Sequence, residues 1–105
     1  MVAIGGVLTI RATSTTPIAT NVRTTAALYA RNCASCHGRG GGARTVKARV
    51  NHARKLSDSE WQNRTSDERI FNSIMNGKGK MPAYGKKLSE QEIDSLVTHV
   101  RGLKR

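Results

Sequence analysis

The stretch Cys33-Ala34-Ser35-Cys36-His37 holds both cysteines of the 105-residue chain and one of its three histidines. Two cysteines are too few for a disulfide scaffold, so their spacing has to reveal their use. Cys-x-x-Cys-His is the attachment signal of a c-type haem. Thiols one helical turn apart can form thioethers with the two porphyrin vinyl groups, and the adjacent imidazole then lies under the iron. The pattern predicts one haem c per chain, bound covalently through Cys33 and Cys36, with His37 as an iron ligand.

Two other uses of the cysteine pair remain open. A thioredoxin-like dithiol has the same Cys-x-x-Cys spacing, but it expects a βαβ context that the sequence does not show. A structural zinc site needs two further ligands, and the other histidines, His52 and His99, lie at no recognised spacing. The sequence favours haem over both alternatives.

A second iron ligand is expected among the three methionines, because Met together with His raises the reduction potential of haem iron. Met75 falls on the apolar face of a predicted helix and is interpreted as a core residue. Met81 follows Gly77-Lys78-Gly79-Lys80 and precedes Pro82, in a stretch that cannot be helical. A large apolar side chain in such a loop needs a group to pack against. Met81 is therefore predicted to be the second iron ligand.

Apolar residues recur at helical spacing in four segments, and no segment alternates with the two-residue period of a strand. The predicted helices cover about residues 21–33, 57–64, 65–76 and 89–103. The apolar face expected for the first comprises Val22, Ala26, Tyr29, Ala30 and Cys33. The fold class is therefore predicted to be all-α.

The expected helix ends account for most of the acidic residues. Asn21 is a possible N-cap of the first helix, and Gly77 suits a left-handed cap at the end of the third. The other three helices begin with capping-box sequences, at residues 57–60, 65–68 and 89–92. These boxes contain six of the seven acidic residues, where the positive end of the helix dipole stabilises a carboxylate. The carboxylates are therefore interpreted as structural, not catalytic.

With these motifs in this order, the chain resembles the class I c-type cytochromes, small monohaem bacterial proteins, over about residues 21–105. Residues 27–38, residues 74–84 and the closing helix carry the resemblance. It implies the cytochrome c fold, in which three main helices and a short one wrap the haem and leave one edge exposed. It also implies that Tyr29, Leu96 and Val100 pack where the first and last helices cross. His99 stands where an aromatic ring is common and is interpreted as a packing or surface residue, not as a ligand.

The resemblance also bears on the haem propionates. Trp61, on general grounds a core residue, stands where the family can donate an indole N–H to a propionate. Arg44 and Lys47 are weaker candidates for the same role.

The loop after the motif, Gly38–Gly42, departs from the family pattern. The family often has a proline there, whose neighbourhood supplies the backbone carbonyl that accepts from the axial histidine. The only prolines here are Pro17 and Pro82, so the carbonyl that orients His37 stays undetermined. The glycines do not form a phosphate-binding loop, since no Gly-Lys-Ser/Thr follows and no strand precedes them.

Composition limits the partners. The chain carries 18 Lys and Arg against seven acidic residues, a net charge of +11, with 37% hydrophobic and 4% aromatic residues. So thin a core usually gains stability from a bound group. The charge favours acidic redox-partner proteins and permits peripheral contact with an anionic membrane surface. Nucleic acid is disfavoured because the chain has few aromatics and no docking motif.

An iron with two protein ligands has no open position for a substrate. The predicted function is thus a one-electron carrier, not an enzyme, working as a monomer between a dehydrogenase or reductase and a terminal oxidase or reductase. Lys78, Lys80, Lys86 and Lys87 bracket Met81, so acidic partners would be attracted to that rim. The alternative is a peroxidase-like or sensor haem protein with a labile sixth ligand.

Residues 1–20 differ from the rest of the chain. A mildly apolar stretch, Val2–Ile10, leads into a Ser/Thr-rich run, but no basic residue precedes it as in a secretory signal. We expect a leader remnant or a flexible N-terminal arm there, and the cytochrome domain at 21–105. Since covalent haem attachment and secretion normally go together, a periplasmic or otherwise exported location is predicted.

Overall fold

The computed structural model describes residues 23–105 of the protein, and the described part contains helices and no β-strand. The helices are α1 (Thr25–Asn32), α2 (Ala34–His37), α3 (Val46–Asn51), α4 (Ser59–Arg64), α5 (Asp67–Asn76) and α6 (Glu90–Arg101). The predicted all-α class is confirmed, with six helices in this part instead of four. The expected arm at residues 1–20, and the face residue Val22, lie outside the described residues.

The first predicted helix begins later than expected and has a different buried face. Thr24, not Asn21, is the N-cap of α1, and its hydroxyl accepts from the Ala27 N–H at 3.1 Å; Asn21 itself lies outside the described residues. The helix buries Leu28 and Tyr29 and leaves the predicted face residues Ala26 and Ala30 exposed. Burying a leucine and a tyrosine removes far more apolar area from water than burying two alanines.

The chain continues past α1 into elements that the sequence reading did not separate. Cys33, with φ of −117°, interrupts the helix, and α2 then carries the rest of the motif. Helix α3 was not predicted at all, because it has no apolar stripe: only Ala48 is buried, and Val46 and Val50 are exposed. Its start is fixed instead by Thr45, whose hydroxyl accepts from the Ala48 N–H at 3.0 Å.

Only one of the three predicted capping boxes forms. Ser89 caps α6, and the Ser89 and Glu92 side chains each accept from the other residue's backbone N–H at 3.0 Å. The prediction at Ser57 was wrong, because its backbone N–H donates to the Gly41 carbonyl and its carbonyl accepts from Arg105. Asp58 caps α4 in its place.

Helix α5 shows the same displacement by one residue. Thr65 ends α4, and its carbonyl accepts from the Arg101 guanidinium, so Ser66 becomes the cap of α5. The six acidic residues nevertheless lie at helix starts as predicted, since Asp58 is a cap and the other five occupy first turns.

The core lies where α1 crosses α6 and where α5 packs on α6. The Tyr29 and His99 rings have centroids 4.5 Å apart, so of its two predicted roles, packing and surface, His99 has the packing one. The largest fully buried side chains among the described residues are Ile93 and Leu96 on α6. Within residues 23–105 no helix could cross a bilayer: the longest, α6, has 12 residues, against the roughly 20 that a span requires.

A buried polar clamp ties α6 to α4. The Gln62 side chain is buried and donates to the carbonyls of Leu56 at 2.9 Å and Val100 at 2.7 Å. Arg101 donates to the Gln62 carbonyl at 2.7 Å and forms an ion pair with Asp67. The clamp holds the segment before α4 against the end of α6.

Candidate functional site

One cavity of about 280 Å³ lies among α1, the segment before α4, α5 and the loop after α5. Four of the five predicted site residues line it: Cys33, His37, Trp61 and Met81. Cys36 does not line it, although it belongs to the same short helix as His37. Five aliphatic core residues also line it, Leu56, Ile70, Ile74, Leu96 and Val100, beside polar and basic residues.

His37 is held by one directed hydrogen bond. Its Nδ1 lies 2.8 Å from the backbone carbonyl of Arg54. A carbonyl can only accept, so Nδ1 carries the proton and Nε2 keeps its lone pair, the form that binds metal ions. Burial lowers the pKa of His37, although the bond to Arg54 opposes the shift. The imidazole is thus kept neutral.

The backbone carbonyl of Arg54 is the group that orients His37, which the sequence left undetermined because the loop proline is missing. No sequence signal marks it, because the residue acts through its backbone carbonyl and lies 17 positions after His37. Only the path of the chain between α3 and α4 brings this carbonyl to the ring.

Three side chains from other parts of the chain contact the Cys33–Gly38 segment. The Tyr29 hydroxyl donates to the Gly38 carbonyl at 2.7 Å, and the Thr45 hydroxyl donates to the Cys36 carbonyl at 3.1 Å. The Asn51 amide lies 3.7 Å from the Cys36 Sγ. Tyr29 remains a donor because burial, with the charge of Cys33, raises its pKa to about 12. The motif is therefore fixed at its carbonyls as well as at its imidazole.

Cys33 and Cys36 form no disulfide with each other, so both sulfurs are free to bond a haem. Burial, together with the charge of Cys36, raises the pKa of an unattached Cys33 thiol to about 11.

Met81 reaches the cavity from a tight turn after α5. Its N–H donates to the Lys78 carbonyl at 2.9 Å, and its carbonyl accepts from the Lys78 N–H at 3.1 Å. Gly77 ends α5 as predicted, but its φ of 79° and ψ of 168° lie outside the left-handed helical region expected for the cap. Essentially only glycine adopts this conformation. Met75 packs against the core and does not line the cavity, in agreement with its interpretation as a core residue.

The cavity also collects positive charge. Arg54, Arg64, Arg69 and Lys78 line it, and none of its lining residues is acidic. The Arg54 guanidinium lies 5.8 Å from the centroid of the Trp61 ring. Arg44 and Lys47, the weaker propionate candidates, are not among the lining residues. Sequence reasoning missed Arg64 at the end of α4 and Arg69 in α5, because isolated basic residues on a basic chain carry no distinguishing pattern.

These residues fit a haem. The site offers a neutral imidazole and a thioether, the axial pair of c-type cytochromes, beside the Cys33 thiol and apolar walls. An amphipathic dianion such as haem has apolar faces that suit those walls and carboxylates that suit the four cations.

The two alternative uses of the cysteines find no support. In residues 23–105 no three His, Cys, Asp or Glu side chains cluster as a metal site would require. The part of the chain that the structure describes has no strand, so the βαβ setting of a thioredoxin-like dithiol is missing there.

Comparison with known proteins agrees with the geometry. The family model described as "Cytochrome C oxidase, cbb3-type, subunit III" matches residues 20–100. Cytochrome c6 of a Synechococcus strain is 34% identical over 87 residues, which are 83% of this chain and 74% of that protein. Cytochrome c6 of Aphanizomenon flos-aquae is 36% identical over 77 residues, 71% of this chain and 82% of that protein.

A solved structure shows the same fold. The KustC0563 c-type cytochrome superposes with a TM-score of 0.72 at 38% identity, over 79% of this chain and 100% of that chain. With a family model that matches most of its length and relatives above 30% identity, the chain belongs to the small class I c-type cytochromes, which are electron carriers and not enzymes.

Proposed function

We propose that residues 21–105 form a monohaem carrier domain, with one haem c attached through Cys33 and Cys36 and its iron held by His37 and Met81. The observation that carries this proposal is that His37 and Met81, 44 positions apart in the sequence, line one cavity together with Cys33. When bound, the haem supplies an iron that gains and loses a single electron.

The His37 hydrogen bond supports its assignment as a ligand. Because Nδ1 donates to Arg54, only Nε2 is available to a metal, and its lone pair is not in use. The lowered pKa keeps a proton from competing for that nitrogen near neutral pH. A metal at this site would meet a ring that already carries its proton on the other nitrogen.

The cavity lining supports a bound dianion. Trp61 is a candidate indole donor, and the cations at positions 54, 64, 69 and 78 are candidate partners for the propionates. Leu56, Ile70 and Leu96 line the same cavity and would contact the apolar faces of a bound haem.

We propose that the carrier moves electrons from a dehydrogenase or reductase to a terminal oxidase or reductase, as a monomer in the periplasm or another exported compartment. Lys78, Lys80, Lys86 and Lys87 are all exposed, and Lys78 also lines the cavity. Their charges would attract acidic partners to the rim where Met81 lies, and salt would weaken that attraction.

The reduced protein tests the ligand set. A carrier with two protein ligands does not bind carbon monoxide without denaturant, and its spectrum is that of low-spin iron. Rapid binding of carbon monoxide by the native reduced protein would favour the peroxidase-like or sensor alternative and contradict the proposal.

The steering is tested with a small anionic oxidant such as hexacyanoferrate(III). K86Q/K87Q should slow oxidation at about 10 mM salt and lose that effect at about 200 mM. R31Q/K104Q, which removes the same charge from α1 and from the C-terminal end, is the matched control and should slow it less. Equal slowing by the two double variants would show that net charge, and not this rim, sets the rate.

A further inference from the structure

Helix α3 presents an apolar pair to solvent. Val46 is 77% exposed and Val50 is 60% exposed, and they are the only exposed large hydrophobic residues in the described part of the chain. Neither residue is used by the cavity. Two valines so exposed on one short helix require an explanation that the haem site does not provide.

The geometry of α3 sets this pair between two cations. At about 100° per residue, Val46 and Val50 lie about 40° apart on one face. Ala48 then falls on the opposite side, in agreement with its burial. Lys47 and Arg49 lie about 80° to either side of the valine pair, and both are exposed. We call Val46, Lys47, Arg49 and Val50 the α3 face.

The surroundings of the α3 face are uniformly basic. Between residues 38 and 57 the chain has six Lys or Arg and no acidic residue. Lys80 approaches from the turn that carries Met81, with its Nζ 3.5 Å from the Val50 carbonyl. The two ion pairs found in residues 23–105 are Arg23–Glu92 and Arg101–Asp67. None of the cations around the α3 face takes part in either of them.

The face is also anchored beside the haem-attachment motif. Thr45, which caps α3, donates to the Cys36 carbonyl, and Asn51 at its other end contacts the Cys36 Sγ. Whatever binds the outer side of α3 is therefore separated from Cys36 by a single helix.

An anionic lipid surface fits these observations better than a protein does. A stable protein interface buries about 800 Å² on each partner and has a core rich in aromatic residues, whereas α3 offers two valines and no aromatic residue. The valines protrude and line no groove. A fluid headgroup layer accepts protruding apolar side chains without a complementary pocket, and flanking Lys and Arg reach its anionic groups.

We propose that the α3 face is a peripheral binding site for an anionic membrane surface, with Val46 and Val50 inserted among the headgroups and Lys47 and Arg49 paired with lipid phosphates. The site holds the carrier at the membrane so that the side of the protein formed by α3 and Cys36 faces the lipid. This inference goes beyond the proposed electron transfer and does not depend on the iron ligands.

The test measures cosedimentation of the haem-loaded full chain with vesicles of phosphatidylcholine containing about 30% phosphatidylglycerol, in about 50 mM salt. The V46S/V50S variant should bind about tenfold more weakly, because apolar area buried by insertion is lost. The K47Q/R49Q variant should also bind about tenfold more weakly or worse. All variants retain residues 1–22, so any contribution from that stretch is the same in each.

R31Q/K104Q is the charge-matched control and should bind within about twofold of the parent protein. Both valines are exposed, so circular dichroism should show that V46S/V50S folds normally. The proposal is overturned if V46S/V50S binds as tightly as the parent, if R31Q/K104Q weakens binding as much as K47Q/R49Q, or if the parent protein does not sediment with the vesicles. If the parent protein does not bind vesicles and V46S/V50S loses electron transfer, α3 docks a protein instead.

Discussion

His37 and Met81 reach the same cavity by different means. The His37 ring is fixed by a directed hydrogen bond to Arg54, and the turn around it is tied at the carbonyls of Cys36 and Gly38. The Met81 thioether is at most a weak acceptor, so that side chain is positioned by packing and by the backbone pair with Lys78. We call residues 33–38 the histidine segment and residues 77–85 the methionine segment.

The contrast shows which parts of the fold each side chain depends on. The histidine segment depends on the stretch that supplies the Arg54 carbonyl, and the Gln62 clamp holds that stretch through Leu56. The methionine segment depends on backbone conformation at Gly77 and on bonds from Tyr84 and Gly85 to the carbonyls of Ile74 and Met75. The Tyr84 hydroxyl links the two by donating to the Asn32 carbonyl at 3.0 Å, but their other supports differ. Damage to one segment should therefore affect that segment most.

Replacement of Met81 by alanine should give the largest effect. Loss of the thioether opens a coordination position and lowers the reduction potential by on the order of 0.2 V, within the roughly 0.8 V that axial ligands command. Redox titration measures the fall, and the reduced variant should bind carbon monoxide. Met75→Leu is the control and should leave potential and spectrum nearly unchanged. If Met75→Leu lowers the potential and Met81→Ala does not, the assignment is reversed.

The Gln62→Leu substitution tests the support of the histidine segment. The buried Leu56 carbonyl loses its donor, and Arg101 loses an acceptor. The Val100 carbonyl loses one donor but keeps the Leu103 N–H at 3.0 Å. We expect the free energy of unfolding to fall by about 1–3 kcal/mol, the cost of one unsatisfied buried group. Guanidinium unfolding measures this loss.

The neighbouring Asn63→Leu provides the control for that substitution. Asn63 is exposed and only accepts from Lys104, so its loss should cost less than about 0.5 kcal/mol. A similar cost for both substitutions would mean that the clamp contributes nothing specific.

Gly77→Ala tests the methionine segment. At this positive φ an added Cβ would lie 2.7 Å from the Met81 carbonyl oxygen and 3.0 Å from the Ala83 nitrogen. We expect a stability loss of about 2–3 kcal/mol from backbone strain and displacement of the turn, with weakened thioether ligation in the spectrum.

Gly79→Ala tests the effect of backbone strain without a steric clash of the added Cβ. Gly79 also has a positive φ, of 58°, but an added Cβ there meets nothing within 4 Å. Its cost should be limited to about 1–2 kcal/mol, with Met81 ligation retained. Equal losses of ligation in the two variants would show that contact with the Met81 backbone is unimportant.

The smallest effect is expected at Glu92, which lies outside both segments. The Ser89 backbone N–H and the Arg23 guanidinium lower the pKa of its carboxyl below the ordinary value of 4.5. A lowered pKa stabilises the fold above the unfolded-state value, and the stabilisation is lost as pH falls through the lower folded-state value. The Tm advantage of the parent over Glu92→Gln should thus be full at neutral pH and shrink below pH 4.5. An advantage that grows in acid would refute this.

Much of the fold could be predicted because its signals are local. The helical spacing of apolar residues predicted α5 and α6, and Gly77 alone predicted where α5 ends. The caps at Ser57 and Thr65 were wrong because distant residues, Arg105 and Arg101, engage their backbones. Such contacts have no sequence pattern.

The residues of the candidate site also fall into those with a local sequence signal and those without one. Cys33, Cys36, His37 and Met81 were singled out by spacing and by neighbouring glycine and proline. The Arg54 carbonyl and the cations Arg64 and Arg69 become neighbours of the cavity only through the path of the chain. Helix α3 was missed because a capped, basic, six-residue helix has no apolar stripe.

The most direct test of the central claim is the mass of the tryptic peptide 32–39, which trypsin releases after Arg31 and Arg39 and which contains both cysteines. The account predicts that this peptide, from protein matured in cells that make c-type cytochromes, carries the added mass of one haem and absorbs visible light. A peptide with the mass of its eight amino acids alone and two free thiols would contradict it.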